Sequence, residues 1–548
     1  MPLHAVVASD ARSRHARTAL LLAMAAGAAA IFARDACATD WLQFGFDAAH
    51  SGVNPAESGV ADSIATFTQI YQVSLRGPVD SAPVFLDAVQ TAQGERSLLI
   101  MTTMYGAMLA IDAATGEQIW QQQTNGPAPI TGAAPAIDPN RQFVYGAGMD
   151  GKVHKYNVGD GSEVVDAAWP EPATLKPAEE KISSALAFAT AANGHTYLYA
   201  TTSNFGYDLG DYQGHVTAID IGSGAHTVFN ALCSDVTSHL ATAPATPACA
   251  DAQAGIWGRP GVVYSAATDR IYIATGNGPF TAAAGGHDWG ESVLALAPDL
   301  TTSNGARLPM PLDSYTPAEY EQLNIDDDDL GVESPAILPA PADSRLANLG
   351  VQIGKDGIVR LLDLDDMSGQ GGSGKIGGEI SLTTSLDYRG SLNTQPAVWT
   401  DPASGIPWLI AVYKSTVHAF FAQANARGRP QLVEAWNIPT TGGTSPVVAD
   451  GVVFFVAQTK QLVALDAKTG TQLWSSPVDG VHWASPIVVN GVVYLADNDA
   501  TLRAYAAPLP AAATTTGARQ ALQTNMPKRP ATSYAPSSIP YQSGATGD

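Results

Sequence analysis

Four consecutive acids, Asp326 to Asp329, stand in "NIDDDDLGVESPAIL". Adjacent carboxylates repel one another unless a cation or solvent relieves them. The run therefore reads either as an oxygen-rich part of a cation site or as a solvated acidic turn. A second cluster, His287, Asp288, Trp289 and Glu291 in "GHDWGESVLAL", reads as the cap of a strand start, with substrate handling as the alternative. No sustained set of metal-spaced histidines points to zinc. "GQGGSGKI", from Gly369 to Ile376, almost spells a phosphate-binding loop, but ends in Ile and lacks a following helical pattern; it reads as a connector. No G-x-S-x-G supports a serine nucleophile. No Cys-x-x-Cys-His supports covalently attached haem.

The chain start sets the compartment. Arg12, Arg14 and Arg17 precede the apolar run "ALLLAMAAGAAAIFA", and Ala36-Cys37-Ala38 offers a small-x-small cleavage site. Residues 1–38 are thus expected to be a secretory signal peptide and the mature chain periplasmic or secreted. In an exported chain the remaining cysteines, Cys233 and Cys249, favour a disulfide over two free thiols. It would close a short loop and contribute roughly 3 kcal/mol. Past the leader, no stretch reaches the ~18 apolar residues of a membrane span. The net charge of −23 argues against a nucleic-acid partner.

Any such side chains must be held by many short strands. The 548 residues include 52 Gly and 36 Pro, and only 14% are charged, which suits strands and turns better than long helices. "AMLAIDAATGEQIWQQQTNG" near the start and "QLVALDAKTGTQLWSSPVDG" near the end repeat one pattern. Each has an alternating strand ending in Asp, a Thr-Gly turn, and a strand carrying Trp. Weaker copies between them bring the number to about eight. Each copy holds three or four strands with period-two alternation and cannot bury both faces alone. Stacked around an axis they can, and closing the ring removes the open ends. The expected fold is all-β, an eight-bladed β-propeller spanning residues 39–506. Residues 507–548 lack periodicity and read as a disordered tail. Trp120 and Trp474 read as docking residues between blades. The last copy lacks its final strand, and "WLQFGFDAAHSG", Trp41 to Gly52, has no blade of its own. These ends are expected to meet and complete one blade.

The Ala-Leu-Asp-Ala-x-Thr-Gly-x-x-x-Trp sentence resembles the tryptophan-docking repeat of the pyrroloquinoline quinone (PQQ)-dependent alcohol dehydrogenases, over Trp41 to Tyr505. The same repeat serves non-enzymatic propellers, notably an outer-membrane assembly lipoprotein. The resemblance implies PQQ and Ca²⁺ as cofactors, and assigns roles residue by residue. "GIWGRPGVVYSAATDRIYIATGNGPF" resembles the segment whose Trp stacks on the quinone and whose Asn binds the metal, which makes these Trp257 and Asn277. "NFGYDLGDYQGHVTAID" offers Asp208 as a metal ligand where a Glu is usual, with Asp211 as the fallback. The acid run sits where the family places its base, giving Asp328 that role and Asp326 a metal contact. "GVQIGKDGIVRLLDLD" places Lys355 at the quinone oxygens. The family's adjacent cysteine pair is missing. Gly132 and Ala133 stand there instead, leaving a flatter cover for the ring. The implied reaction is oxidation of a small or polymeric alcohol, with electrons passing to a separate acceptor such as a cytochrome. The alternative is a non-catalytic interaction scaffold.

Overall fold

A computed structural model describes residues 39–206, 208, 210–236, 249, 251–384, 394–440 and 442–508. The signal peptide expected over 1–38 lies outside the described residues, as does the tail from residue 509. The described chain falls almost wholly in one compact unit, Met1–Ala507; of the second, Pro508–Asp548, only Pro508 is described.

Eight sheets form the expected eight-bladed propeller, each an antiparallel run of neighbouring strands, except that Val53–Asn54 adds in parallel to Val447–Ala449 of blade 7. The first blade comprises Val84–Thr91, Gly94–Thr102, Ala107–Asp112 and Gln118–Gln123. The other inner strands are Ala136–Ile137, Ala187–Thr190, Val263–Ser265, Ala336–Pro339, Ala397–Thr400, Val447–Ala449 and Ile487–Val489. Alternation along each strand feeds the layers between blades. Val84, Leu98, Ile100 and Ala110 of blade 1 pack on Ile137, Val144 and Tyr156 of blade 2 in one buried cluster. Such burial, not strand propensity, holds neighbours together.

The repeated Trp docks as its position suggests. Trp120 Nε1 donates to the Val158 carbonyl of the next blade at 2.8 Å, and Trp436 Nε1 to Ala467 at 3.1 Å. Each acceptor follows the residue that ends the third strand. The turn glycine of the receiving blade makes room: a Cβ on Gly161, at φ +71°, would lie 2.6 Å from the Trp120 ring. The Thr-Gly turn and the Trp are therefore two halves of one joint. Trp120→Ala is expected to cost about 3–5 kcal/mol, through the emptied volume and the orphaned carbonyl. Chemical denaturation would show this as a lower midpoint.

Closure corrects one expectation. The strand that completes blade 8 is Thr68–Ser74, antiparallel to Thr501–Ala506, not Trp41–Gly52. "TQIYQVS" is a full strand length, with Tyr71 buried in its middle. Trp41–Gly52 is instead mostly turns and hydrogen-bonds across blades. Trp41 bridges Phe85. Leu42 O accepts from Ile137, Ala48 O from Tyr264, Ser51 O from Val398 and Gly52 O from Val448, all at 2.7–2.8 Å. Gln43 Oε1 accepts from Phe188 N at 2.7 Å, and Asn54 Nδ2 donates to Val488 O at 2.9 Å. Residues 41–54 thus touch the inner strands of blades 1, 2, 3, 4, 6, 7 and 8.

Candidate functional site

The site grows from blades 4 and 5. Asn277 lies just past Arg270–Ala274, the second strand of blade 4, and Trp257 precedes that blade's inner strand. A short helix, Tyr320–Asp326, ends with Asp327 in the left-handed region at φ 57°. A 3-10 turn, Leu330–Val332, follows and leads into blade 5. Lys355 sits in the hairpin between Asn348–Ile353 and Ile358–Asp363. Its amide donates to Asp329 O at 3.0 Å, which ties the hairpin to the acidic loop.

These loops converge on Asn277. Its Nδ2 donates to Asp208 Oδ2 and to Asp327 Oδ1, each at 3.1 Å, and its backbone N–H donates to Asp329 Oδ1 at 2.6 Å. Its Oδ1 is buried with no hydrogen-bond partner. Asp208 also accepts from Asn204 at 3.0 Å and from Tyr212 at 2.5 Å. Lys355 Nζ pairs with Asp327 at 2.9 Å and with Asp329, and lies 5.2 Å from the Trp257 ring centroid. Gly276 is the condition for this closeness, because a Cβ there would meet Asp329 and lie 2.9 Å from Trp257 Nε1.

Trp257, Asn277, Asp208 and Lys355 are thus brought together. From the acid run, the carboxylates of Asp327 and Asp329 bond Asn277. Asp326, named above as metal contact, is the last helical residue. Asp328, named above as base, is buried, with its amide bonded to Leu323 O. The left-handed turn at Asp327 ends the helix inside the acid run. Asp211 accepts from Lys176 through its backbone carbonyl, part of a buried Lys176–Glu180–His215 network that anchors the loop carrying Asp208.

Burial raises the Asp329 carboxyl to about 6, against the opposing Lys355 charge and the Asn277 N–H, with Asp327 adding to the rise. Against the desolvation of its own burial, Asp329 and Asp327 hold the Lys355 ammonium above its ordinary value. Glu291 is fully buried, pushed well up by burial and by Asp329, and its Oε2 accepts from Leu330 N at 2.7 Å. It braces the residue next to Asp329, a role that reading it as a strand cap had missed.

The expected bridge is present: Cys233 and Cys249 are disulfide-bonded, with Cα atoms 5.8 Å apart. It anchors the stretch leading to Ala254, whose N–H donates to Asn277 O at 2.6 Å. Cys233 also lies near Asp251 and Asp288, but a bridged sulfur is no thiolate ligand. Asp288 instead binds Cys233 N and Thr281.

A second charged group lies at the entry segments of other inner strands. Arg259 donates to Asp80 O at 2.6 Å and to Gly132 O at 3.3 Å, so Gly132 faces a guanidinium; Ala133 beside it is buried. Asp80 pairs with His482 at 2.6 Å. Lys181 Nζ and the Arg259 guanidinium lie 5.5 and 5.4 Å from the Trp483 ring. No motif marked Arg259, Lys181 or Asp80. Burial lowers the Lys181 ammonium to about 8, with Asp80 opposing and Arg259 adding to the fall. A buried cation lowered from 10.5 penalises folding below pH 8, and the penalty fades as pH rises towards 10.5. Lys181→Met is therefore expected to be the more stable protein at neutral pH. Its advantage should shrink by on the order of 3 kcal/mol towards pH 10. Paired denaturation curves across that range would check this.

The family profile PQQ_2, described as outer membrane protein assembly factor BamB, matches residues 65–289 and 414–510. The chain belongs to the PQQ_2 family. Solved structures share the fold of this PQQ_2 propeller. A quinohemoprotein alcohol dehydrogenase from Pseudomonas putida matches at TM-score 0.57 and 14% identity, over 86% of this chain and 82% of that one. A europium-containing methanol dehydrogenase matches at 0.59 and 13%, over 85% and 98%. A quinohemoprotein alcohol dehydrogenase from Comamonas testosteroni matches at 0.57 and 15%, over 86% and 81%. No curated protein sequence matches the chain. No helix among the described residues is long and apolar enough to cross a membrane.

Proposed function

We propose that this PQQ_2 propeller is an exported quinoprotein oxidoreductase that holds PQQ and Ca²⁺, oxidises an alcohol, and passes electrons to a separate acceptor. The observation that carries the reading is the partnerless, buried Oδ1 of Asn277, a residue whose Nδ2 binds the carboxylates of Asp208 and Asp327 and whose backbone N–H binds that of Asp329. An amide oxygen with carboxylates is the all-oxygen donor set that Ca²⁺ prefers. The residues also fit a flat, carboxylated ring: Trp257 offers an aromatic face, Lys355 a cation beside it, and Arg259 and Lys181 further positive charge.

In this reading Asn277, Asp208 and Asp327 hold the cation, in place of Asp326. Asp329 replaces Asp328 as the base. A carboxylate raised to about 6 is basic enough to take a hydroxyl proton near neutral pH and still ionised there. Lys355 orients that carboxylate. When bound, the quinone supplies the two-electron acceptor. Asn277 N–H and Lys355 fix the Asp329 oxygens, so that proton removal needs little reorganisation.

The scaffold reading is favoured by the BamB description of the family, and by Lys355 already neutralising Asp327 and Asp329. One titration separates the two. Protein is titrated with PQQ and Ca²⁺ while tryptophan fluorescence is followed, then given alcohols and an artificial acceptor dye. Quenching followed by alcohol-dependent dye reduction is expected; the absence of both would leave the scaffold.

A further inference from the structure

The N-terminal strap, residues 41–54, closes a small cavity against the entries of blades 6, 7 and 8. Trp41, His50 and Gly52 line it from the strap. Gln395, Ser445 and Ser485 line it from just before the inner strands Ala397–Thr400, Val447–Ala449 and Ile487–Val489. It has room for about one water-sized particle. Gly52, at φ +69°, lets the strap sit this close: a Cβ there would lie 3.0 Å from Pro446 O and 3.3 Å from the Ala397 Cβ.

Three of these side chains carry a buried polar atom with no partner among the described residues: Trp41 Nε1, Gln395 Nε2 and Ser485 Oγ. Buried polar atoms are rarely left so. Their chemistry is one-sided. An indole N–H only donates. Gln395 Oε1 accepts from Ser334 N at 3.2 Å, which makes Nε2 the donating end. The Ser485 hydroxyl can donate as well. His50, fully buried, adds charge. Its Nδ1 lies 2.5 Å from Phe44 O and its Nε2 3.0 Å from Val262 O. A neutral ring would set a lone pair against one of these oxygens, so both nitrogens carry hydrogen. Burial pushes the imidazole down, against the two carbonyls and the Asp47 charge; the two acceptors decide for the imidazolium. Asp47 spends its carboxylate on Ser51, at 3.0 Å to N and 2.7 Å to Oγ. No Asp or Glu lines the cavity among the described residues. A buried cation costs much unless an anion offsets it. Water must donate as well as accept, and three donors suit it poorly.

We infer that this cavity binds a monatomic anion, chloride, through Trp41 Nε1, Gln395 Nε2 and Ser485 Oγ beside the His50 ring. The anion joins a donor of the strap to donors of blades 6 and 8, and so pins the strap to the ring. The site is separate from the Asn277 cluster and stands whether or not the quinone reading holds.

Crystals of the protein soaked in sodium bromide are expected to show an anomalous peak in the cavity, in contact with the three donors. In solution the urea midpoint should rise with chloride, and not with gluconate at equal ionic strength. Ser485→Ala keeps the packing and removes one donor, so the chloride needed for the same rise should increase about 10-fold. Trp41→Phe should raise it by about 10- to 100-fold. Bromide absent from the cavity, or a midpoint raised equally by gluconate, would leave a water there and overturn the anion site. A chloride response unchanged in Ser485→Ala would place the anion elsewhere, such as beside Arg259 and Lys181, and would overturn the assignment too. Should Trp41→Phe fail to fold, the bromide map and Ser485→Ala still decide.

Discussion

Asp329→Asn is expected to lower alcohol turnover by about 10²- to 10⁴-fold, with KM changed only a few-fold. The substitution keeps the shape of the side chain and an oxygen for the Asn277 N–H, but cannot accept a proton. Lys355 retains Asp327 as a partner, so the loop keeps its cation. Dye-linked initial rates on protein loaded with PQQ and Ca²⁺ would measure the loss. Asp328→Asn is the matched control and should keep most of its turnover. Loss in Asp328→Asn with retention in Asp329→Asn would restore the assignment made from sequence. The pH profile gives a second check. A base works only when ionised, so kcat/KM should fall as pH drops through the Asp329 value. That value is about 6 without a cation, and a bound cation favours the carboxylate, so the acid limb should lie at or below 6.

The choice among four identical acids shows what a sequence withholds. Trp257, Asn277 and Lys355 each stood in a segment with its own turn and strand, so their order along the chain marked them. The acids differ only in backbone direction, and that is decided by where the helix Tyr320–Asp326 stops and Asp327 turns left-handed. A helix end moves by a residue or two without any change in composition. Lys181 and Arg259 were hidden for another reason. They sit in blade-entry segments otherwise filled by small residues, and nothing local says that the entries of two neighbouring blades bring these cations close to Asp80. The blades themselves were legible because each joint is written twice, once as the Trp and once as the turn glycine that receives it.

The end of the ring is where that code breaks, and where the largest loss of stability is expected. Blade 8 has no Asp-Ala-x-Thr-Gly turn, because its third strand, Thr501–Ala506, is the last described strand and its fourth is Thr68–Ser74. Trp474 accordingly donates to Phe67 O at 3.1 Å, the residue just before that strand. On the other side Tyr71 takes the docking position, donating through its hydroxyl to Ala113 O at 2.9 Å. A deletion of residues 39–75 therefore removes both joints of blade 8 at once. It also removes Trp41, Phe44 and His50, which are 1%, 3% and 1% exposed. Each large buried aromatic lost costs about 3–5 kcal/mol, and two already approach the 5–15 kcal/mol that holds a typical domain folded. The outer edge of Thr501–Ala506 would be left bare, a template for pairing with other chains. The truncated protein is expected to lose cooperative unfolding in denaturant and to aggregate. Tyr71→Phe, which breaks one hydrogen bond and keeps the ring, should cost only about 1 kcal/mol. A truncated chain with the full-length midpoint would mean that the remaining blades close without their velcro strand, and that burial between the other blades alone sustains the ring.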